Sequence, residues 1–85
     1  MTKQKNDVLP GKSFPIGTSK TEKGVNFSVY SHHAKKVELH FFDHKNDSKP
    51  TQIFELSQTL NNSYDYWHIE IIDVPNGQLY GFKVT

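Results

Sequence analysis

Cysteine is absent from this 85-residue chain, which excludes both a disulfide framework and a thiolate metal site. An excess of one charge is missing too. Ten Lys and Arg face nine Asp and Glu for a net charge of +1, with no basic stripe or arm, so nucleic acid is not the expected partner. No apolar run approaches the roughly 20 residues that a membrane-spanning helix needs, and a membrane partner is not expected either. The opening Met1-Thr2-Lys3-Gln4-Lys5-Asn6-Asp7 is polar and lacks the apolar segment of a secretory signal, so a cytoplasmic location is expected. Three Asn-x-Ser matches, at Asn26, Asn46 and Asn61, then read as chance. Helical periodicity of useful length is also lacking. Hydrophobic residues make up only 34% of the chain, but six Phe, four Tyr and one Trp offset this, since each buried aromatic removes about 150–250 Å² from water.

What is present is alternation. In Gly24-Val25-Asn26-Phe27-Ser28-Val29-Tyr30-Ser31 the residues Val25, Phe27 and Val29 share one phase. Val37, Leu39 and Phe41 do the same in Val37-Glu38-Leu39-His40-Phe41-Phe42-Asp43. Successive side chains of a strand point to opposite faces, so both runs predict half-buried strands. The short polar stretch His32-His33-Ala34-Lys35 between them predicts a hairpin. Further strands are expected at 51–56 (Phe54 and Leu56 in phase), at 66–72 (Trp67, Ile69 and Ile71 against Tyr66, His68 and Glu70) and at 78–84 (Tyr80, Phe82 and Val84). A short edge strand fits 18–22. The polar runs 44–50 and 57–65 read as surface loops, and Pro75-Asn76-Gly77 as a turn. Five or more short strands with regular turn signals predict an all-β, immunoglobulin-like antiparallel β-sandwich over 14–85, with residues 1–13 as a flexible lead. The chain stops in a strand-like run, which suggests the front piece of a longer polypeptide.

Chemistry is sparse. Glycosidic hydrolysis needs two carboxyl groups flanking the scissile oxygen, yet the carboxylates here fall in loops, at strand ends or on outer phases, and no catalytic residue is assigned. Five histidines are many for this length, but His32, His33, His40 and His44 do not combine into a converging ligand set, so no metal site and no cofactor are expected. Trp67 is the natural residue to stack on the apolar face of a ligand, although its phase with Ile69 and Ile71 favours the core or a domain contact. Tyr66 and His68 point the other way and are placed to reach a ligand, as are Tyr30 and Phe42. Tyr66, Trp67 and His68 are thus the candidate ligand-binding residues.

Four pieces in order carry a family resemblance: Phe14-Pro15-Ile16-Gly17-Thr18, the alternating runs at 24–31 and 37–43, Tyr66-Trp67-His68, and Gly77-Gln78-Leu79-Tyr80-Gly81-Phe82-Lys83-Val84. Over residues 10–85 the chain resembles the N-terminal β-sandwich domain of glycogen debranching enzymes and isoamylases, which belongs with the family-48 carbohydrate-binding modules. The resemblance implies a non-catalytic domain that precedes an α-amylase-superfamily barrel, itself a glycoside hydrolase acting on α-1,6 branch linkages of glycogen. The partners it implies are the C-terminal catalytic barrel of the same polypeptide and glycogen or another α-glucan, which makes Tyr66, Trp67 and His68 the candidate carbohydrate-binding residues, with Trp67 the one suited to stack on a sugar ring. Strong glycogen binders of the module family carry a tryptophan in the loop after the second strand and a lysine in the last matching strand. Here that loop reads Asp43-His44-Lys45-Asn46-Asp47 and the lysine position is Gly81, so this binding set is not carried over. Glycine within a strand marks close approach of another surface, and Gly81 reads as room for packing. An autonomous glucan-binding module and the front domain of a branching enzyme are the alternatives; Phe-Pro-Ile-Gly and Tyr-Trp-His favour debranching.

Overall fold

The structure is a computed structural model that describes residues 7–85. Every regular element in it is a strand: β1 (Val8–Leu9), β2 (Gly17–Lys20), β3 (Gly24–Tyr30), β4 (Val37–Phe42), β5 (Gln52–Leu56), β6 (Asn62–Ser63), β7 (Tyr66–Ile72) and β8 (Leu79–Val84). They form two antiparallel sheets. One runs β1-β7-β3-β2 with β6 also on β7, and the other runs β5-β4-β8. The all-β sandwich expected from the alternation is what the chain adopts. Among the described residues no helix is long and apolar enough to cross a membrane.

The inward phases meet between the sheets. Phe27 of β3 and Trp67, Ile69 and Ile71 of β7 pack against Val37, Leu39 and Phe41 of β4 and Phe54 and Leu56 of β5. Phe41 links the layers, with ring centroids 5.7 Å from Phe27 and 5.0 Å from Phe54. Burying each such side chain contributes about 1.5–3 kcal/mol, which is how nine of them hold so small a domain. β8 lies at a sheet edge, so Phe82 packs on the core while Tyr80 and Val84, in the same phase, stay partly exposed.

The expected hairpin over 24–43 is not formed. β3 pairs with β2 and β7, whereas β4 pairs with β5 and β8, so the connection crosses from one sheet to the other. Both strands need a buried face, and facing each other across the core satisfies that need as well as lying side by side. The stretch 57–65, expected to be all loop, contains β6 and the buried Asn61.

The lead expected over 1–13 meets the sheet directly. Residues 1–6 lie outside the described residues, but β1 pairs with β7 in the register Val8↔Ile71 and Leu9↔Glu70. Residues 10–13 then cross the outer face of β3 and β7. The Lys12 amide donates to Asn26 Oδ1 at 2.8 Å, Asn26 Nδ2 donates to the Lys12 carbonyl at 2.9 Å, and Ser28 Oγ donates to the Ser13 carbonyl at 2.7 Å. Gly11 makes the close approach possible. Its φ is +80°, and a Cβ there would lie 2.8 Å from the Ile69 carbonyl carbon and 2.9 Å from the Glu70 nitrogen.

Candidate functional site

The three residues singled out from sequence sit side by side on β7 but in different surroundings. Trp67 is 2% exposed and belongs to the core. His68, expected on an open face, is 5% exposed, because residues 10–13 cover that face. Its Nδ1 lies 2.7 Å from the Pro10 carbonyl and its Nε2 2.9 Å from Ser63 Oγ. A carbonyl only accepts, so Nδ1 carries the proton and Nε2 accepts from the serine hydroxyl. Asn61 Nδ2 adds bonds to the His68 carbonyl at 3.0 Å and the Pro10 carbonyl at 3.4 Å, while its Oδ1 accepts from the Ser57 amide at 2.8 Å. His68 therefore fastens the N-terminal segment to the sheet. With both rings enclosed, neither Trp67 nor His68 offers a face to a sugar. Tyr66 is only partly buried and stands edge-on to Tyr30, centroids 5.2 Å apart, with Tyr30 53% exposed.

The outer face of the three-stranded sheet carries charge. Glu38 and His40 are two apart on β4 and so share a face. His40 Nε2 donates to Glu38 Oε1 at 2.9 Å, and Lys36 Nζ bridges Glu38 at 3.3 Å and Glu55 at 3.6 Å. The hydrogen bond from His40 holds the Glu38 carboxyl below the usual carboxylate range; partial burial opposes this and Lys36 reinforces it. Lys36 is raised by its bond to Glu38 and by the charges of Glu38 and Glu55. His40 is thus half-buried. Gly81 pairs with His40, and a Cβ there would meet only Phe42 Cε2 at 3.8 Å, an ordinary contact. Its Cβ position is open, with no crowding that demands glycine.

A third feature lies at the end of the sandwich where β3 crosses to β4. The crossover faces the two-residue turn between β6 and β7 across a cleft of about 520 Å³. Asp65 is held on one side by His32 Nδ1 at 2.8 Å, and its carbonyl accepts from the Ser31 amide at 2.9 Å. Tyr64 stands beside it, 96% exposed, with φ +60°. Tyr64 carries no signal of this in the sequence, where it lies within the polar, loop-like run 57–65. Among the described residues no group of three or more His, Cys, Asp or Glu side chains is placed to hold a metal ion.

In class the chain is an antiparallel β-sandwich that offers aromatic, amide and hydroxyl groups at its surface. The chain belongs to the carbohydrate-binding module 48 family, the isoamylase N-terminal domain, whose pattern matches residues 15–85. It is similar to isoamylase 3, chloroplastic, of Oryza sativa subsp. japonica, with 38% identity over 80 residues, covering 87% of this chain and 10% of that protein. A glycogen debranching enzyme of Klebsiella pneumoniae subsp. pneumoniae is 39% identical over 77 residues, covering 91% of this chain and 11% of its own length. A glycogen operon protein GlgX homolog of Mycobacterium tuberculosis is 32% identical over 77 residues, at 91% and 10% coverage. The chain spans about a tenth of the length of the curated relatives it matches.

Proposed function

We infer that this chain is the N-terminal, non-catalytic domain of an isoamylase-type debranching enzyme that hydrolyses α-1,6 branch linkages in glycogen. The observation that carries the reading is the family match over 15–85 in relatives roughly ten times longer, two of which are named for debranching or isoamylase activity. Hydrolysis would fall to a pair of carboxyl groups in a catalytic barrel elsewhere in the polypeptide, one protonating the leaving oxygen and the other attacking the sugar. The sandwich supports that barrel and contacts α-glucan beside its groove. Exposed Leu79, Tyr80 and Val84 on β8 suit a covered surface. Cytoplasmic residence belongs to the same reading, supported by a chain without cysteine.

Expression of the whole gene and assay of reducing ends released from a phosphorylase limit dextrin tests this reading. Cleavage at α-1,6 points is the expected result. Transfer of α-1,4 chains to new branch points would assign a branching enzyme instead. A reading frame that closes near residue 85 would leave an autonomous module.

A further inference from the structure

The cleft at the crossover end contains two local irregularities that folding does not explain. The first is Tyr64. A two-residue turn between paired strands favours glycine, asparagine or aspartate where φ is positive, because a Cβ is strained there. The turn instead holds a bulky aromatic at φ +60°, exposed to 96% and so adding almost nothing to the core. Strained positions of this kind gather at functional sites. Among the described residues three non-glycines have positive φ, and two of them, His33 and Tyr64, line this one cleft. The second irregularity is Trp67. It forms part of the cleft wall, and its indole N–H is buried without a hydrogen-bond acceptor. Buried donors are nearly always paired, so an orphan of this kind beside the cleft is unusual, and its environment reports on what happens there.

The remaining lining indicates what the cleft would hold. No lysine or arginine lines the cleft, and His32 is already hydrogen-bonded to Asp65 at 2.8 Å, so a phosphate or other anion finds no lysine or arginine to pair with and meets the Asp65 carboxyl. Gln58 and Asn62 present amides, each able to donate and to accept. The Asp65 carboxylate, with about four lone-pair sites, keeps accepting capacity beyond its bond to His32. Directional neutral hydrogen bonding beside an exposed aromatic face suits a ligand with many hydroxyls and an apolar C–H face. The volume falls within the roughly 300–1,000 Å³ of small-molecule sites.

We propose that this cleft is a sugar-binding subsite, in which Tyr64 stacks on a glucose unit of an α-glucan and Asp65, Gln58 and Asn62 hold its hydroxyls. The proposal rests on the reading of the domain as an α-glucan-contacting module. It assigns the contact to the crossover end, away from the outer face of the three-stranded sheet.

The chain has a single tryptophan, so its indole N–H gives one unambiguous NMR cross-peak. Titration of the 85-residue chain with maltoheptaose is expected to move that peak saturably, together with the Tyr64 and Asp65 amides. Tyr64→Gly removes the aromatic and relieves the backbone at the same time, so it is expected to weaken binding roughly tenfold or more without lowering the melting temperature. Tyr64→Phe is expected to bind as the parent does. Shifts confined to His40, Phe42 and Lys83 would overturn this site while leaving α-glucan contact intact. Undiminished binding by Tyr64→Gly would overturn it as well. No shift anywhere up to about 10 mM sugar would remove both the site and the glucan contact, leaving a supporting domain.

Discussion

Replacing His68 with alanine tests whether one buried ring holds the N-terminal segment on the sheet. The substitution removes the bonds to the Pro10 carbonyl and Ser63 Oγ, at 2.7 and 2.9 Å. Two neutral hydrogen bonds contribute about 2 kcal/mol in all. Neither partner is left stranded, since Pro10 is exposed, Ser63 half-buried, and Asn61 Nδ2 still reaches the Pro10 carbonyl. The vacated ring volume adds about 1–2 kcal/mol, towards the low end of large-to-small costs because the covering segment can settle. The expected loss is therefore about 3–4 kcal/mol, a large share of the roughly 5–15 kcal/mol that stabilises a typical domain. Urea unfolding followed by the fluorescence of the single tryptophan reads it directly. With a slope near the low end of about 1–3 kcal/mol per molar, the midpoint should fall by more than about 1 M. Hydrogen exchange at Val8 and Leu9 should accelerate more than at β4 or β5. A midpoint lowered by less than about 0.3 M, with Val8 and Leu9 as protected as before, would refute the fastening role.

Two further perturbations follow from the geometry. Gly11→Ala adds a Cβ at φ +80° against the backbone of Ile69 and Glu70 and against Asn26 Oδ1, and is expected to cost about 2 kcal/mol or more, read as a lowered melting temperature. Glu38 has a depressed folded-state pKa, so its contribution is present above the unfolded carboxylate value and is lost as pH falls through the folded one. Urea midpoints measured from neutral pH down into the acid range should therefore show a shallower acid decline for Glu38→Gln than for the parent; equal slopes would contradict the assigned partners.

Strand positions were legible wherever a buried face alternated with an outer one. The run 66–72 coincides with β7, and Phe54 and Leu56 are core residues as their phase required. Pairing was not legible, because alternation records that a face is buried and not which strand lies beside it. The two alternating runs therefore predict a hairpin where the chain in fact crosses from β3 in one sheet to β4 in the other. The site was harder still. His68 does lie on the outer phase, but that face is roofed by main chain. A trace of the roof exists in the sequence: Asn26, Ser28 and His68 are small or neutral polar groups, where an open face would carry lysine or glutamate. They are there to bond carbonyls and amides. Tyr64 left no periodic signal at all, since its meaning depends on a backbone angle set by the turn.

One strand, β7, has three hydrogen-bonded neighbours: β3 along one side, and β6 and β1 sharing the other. Its last residue is Ile72, whereas its partner β1 begins at Val8. During synthesis the first strand therefore leaves the ribosome with nothing to pair with until more than sixty further residues have emerged. The larger sheet cannot assemble from its beginning onward; it waits for a late segment and then closes around it. Long-range pairings of this kind place a small all-β domain among the slow folders, at milliseconds to seconds. The domain thus completes only after nearly all of its own length has been made.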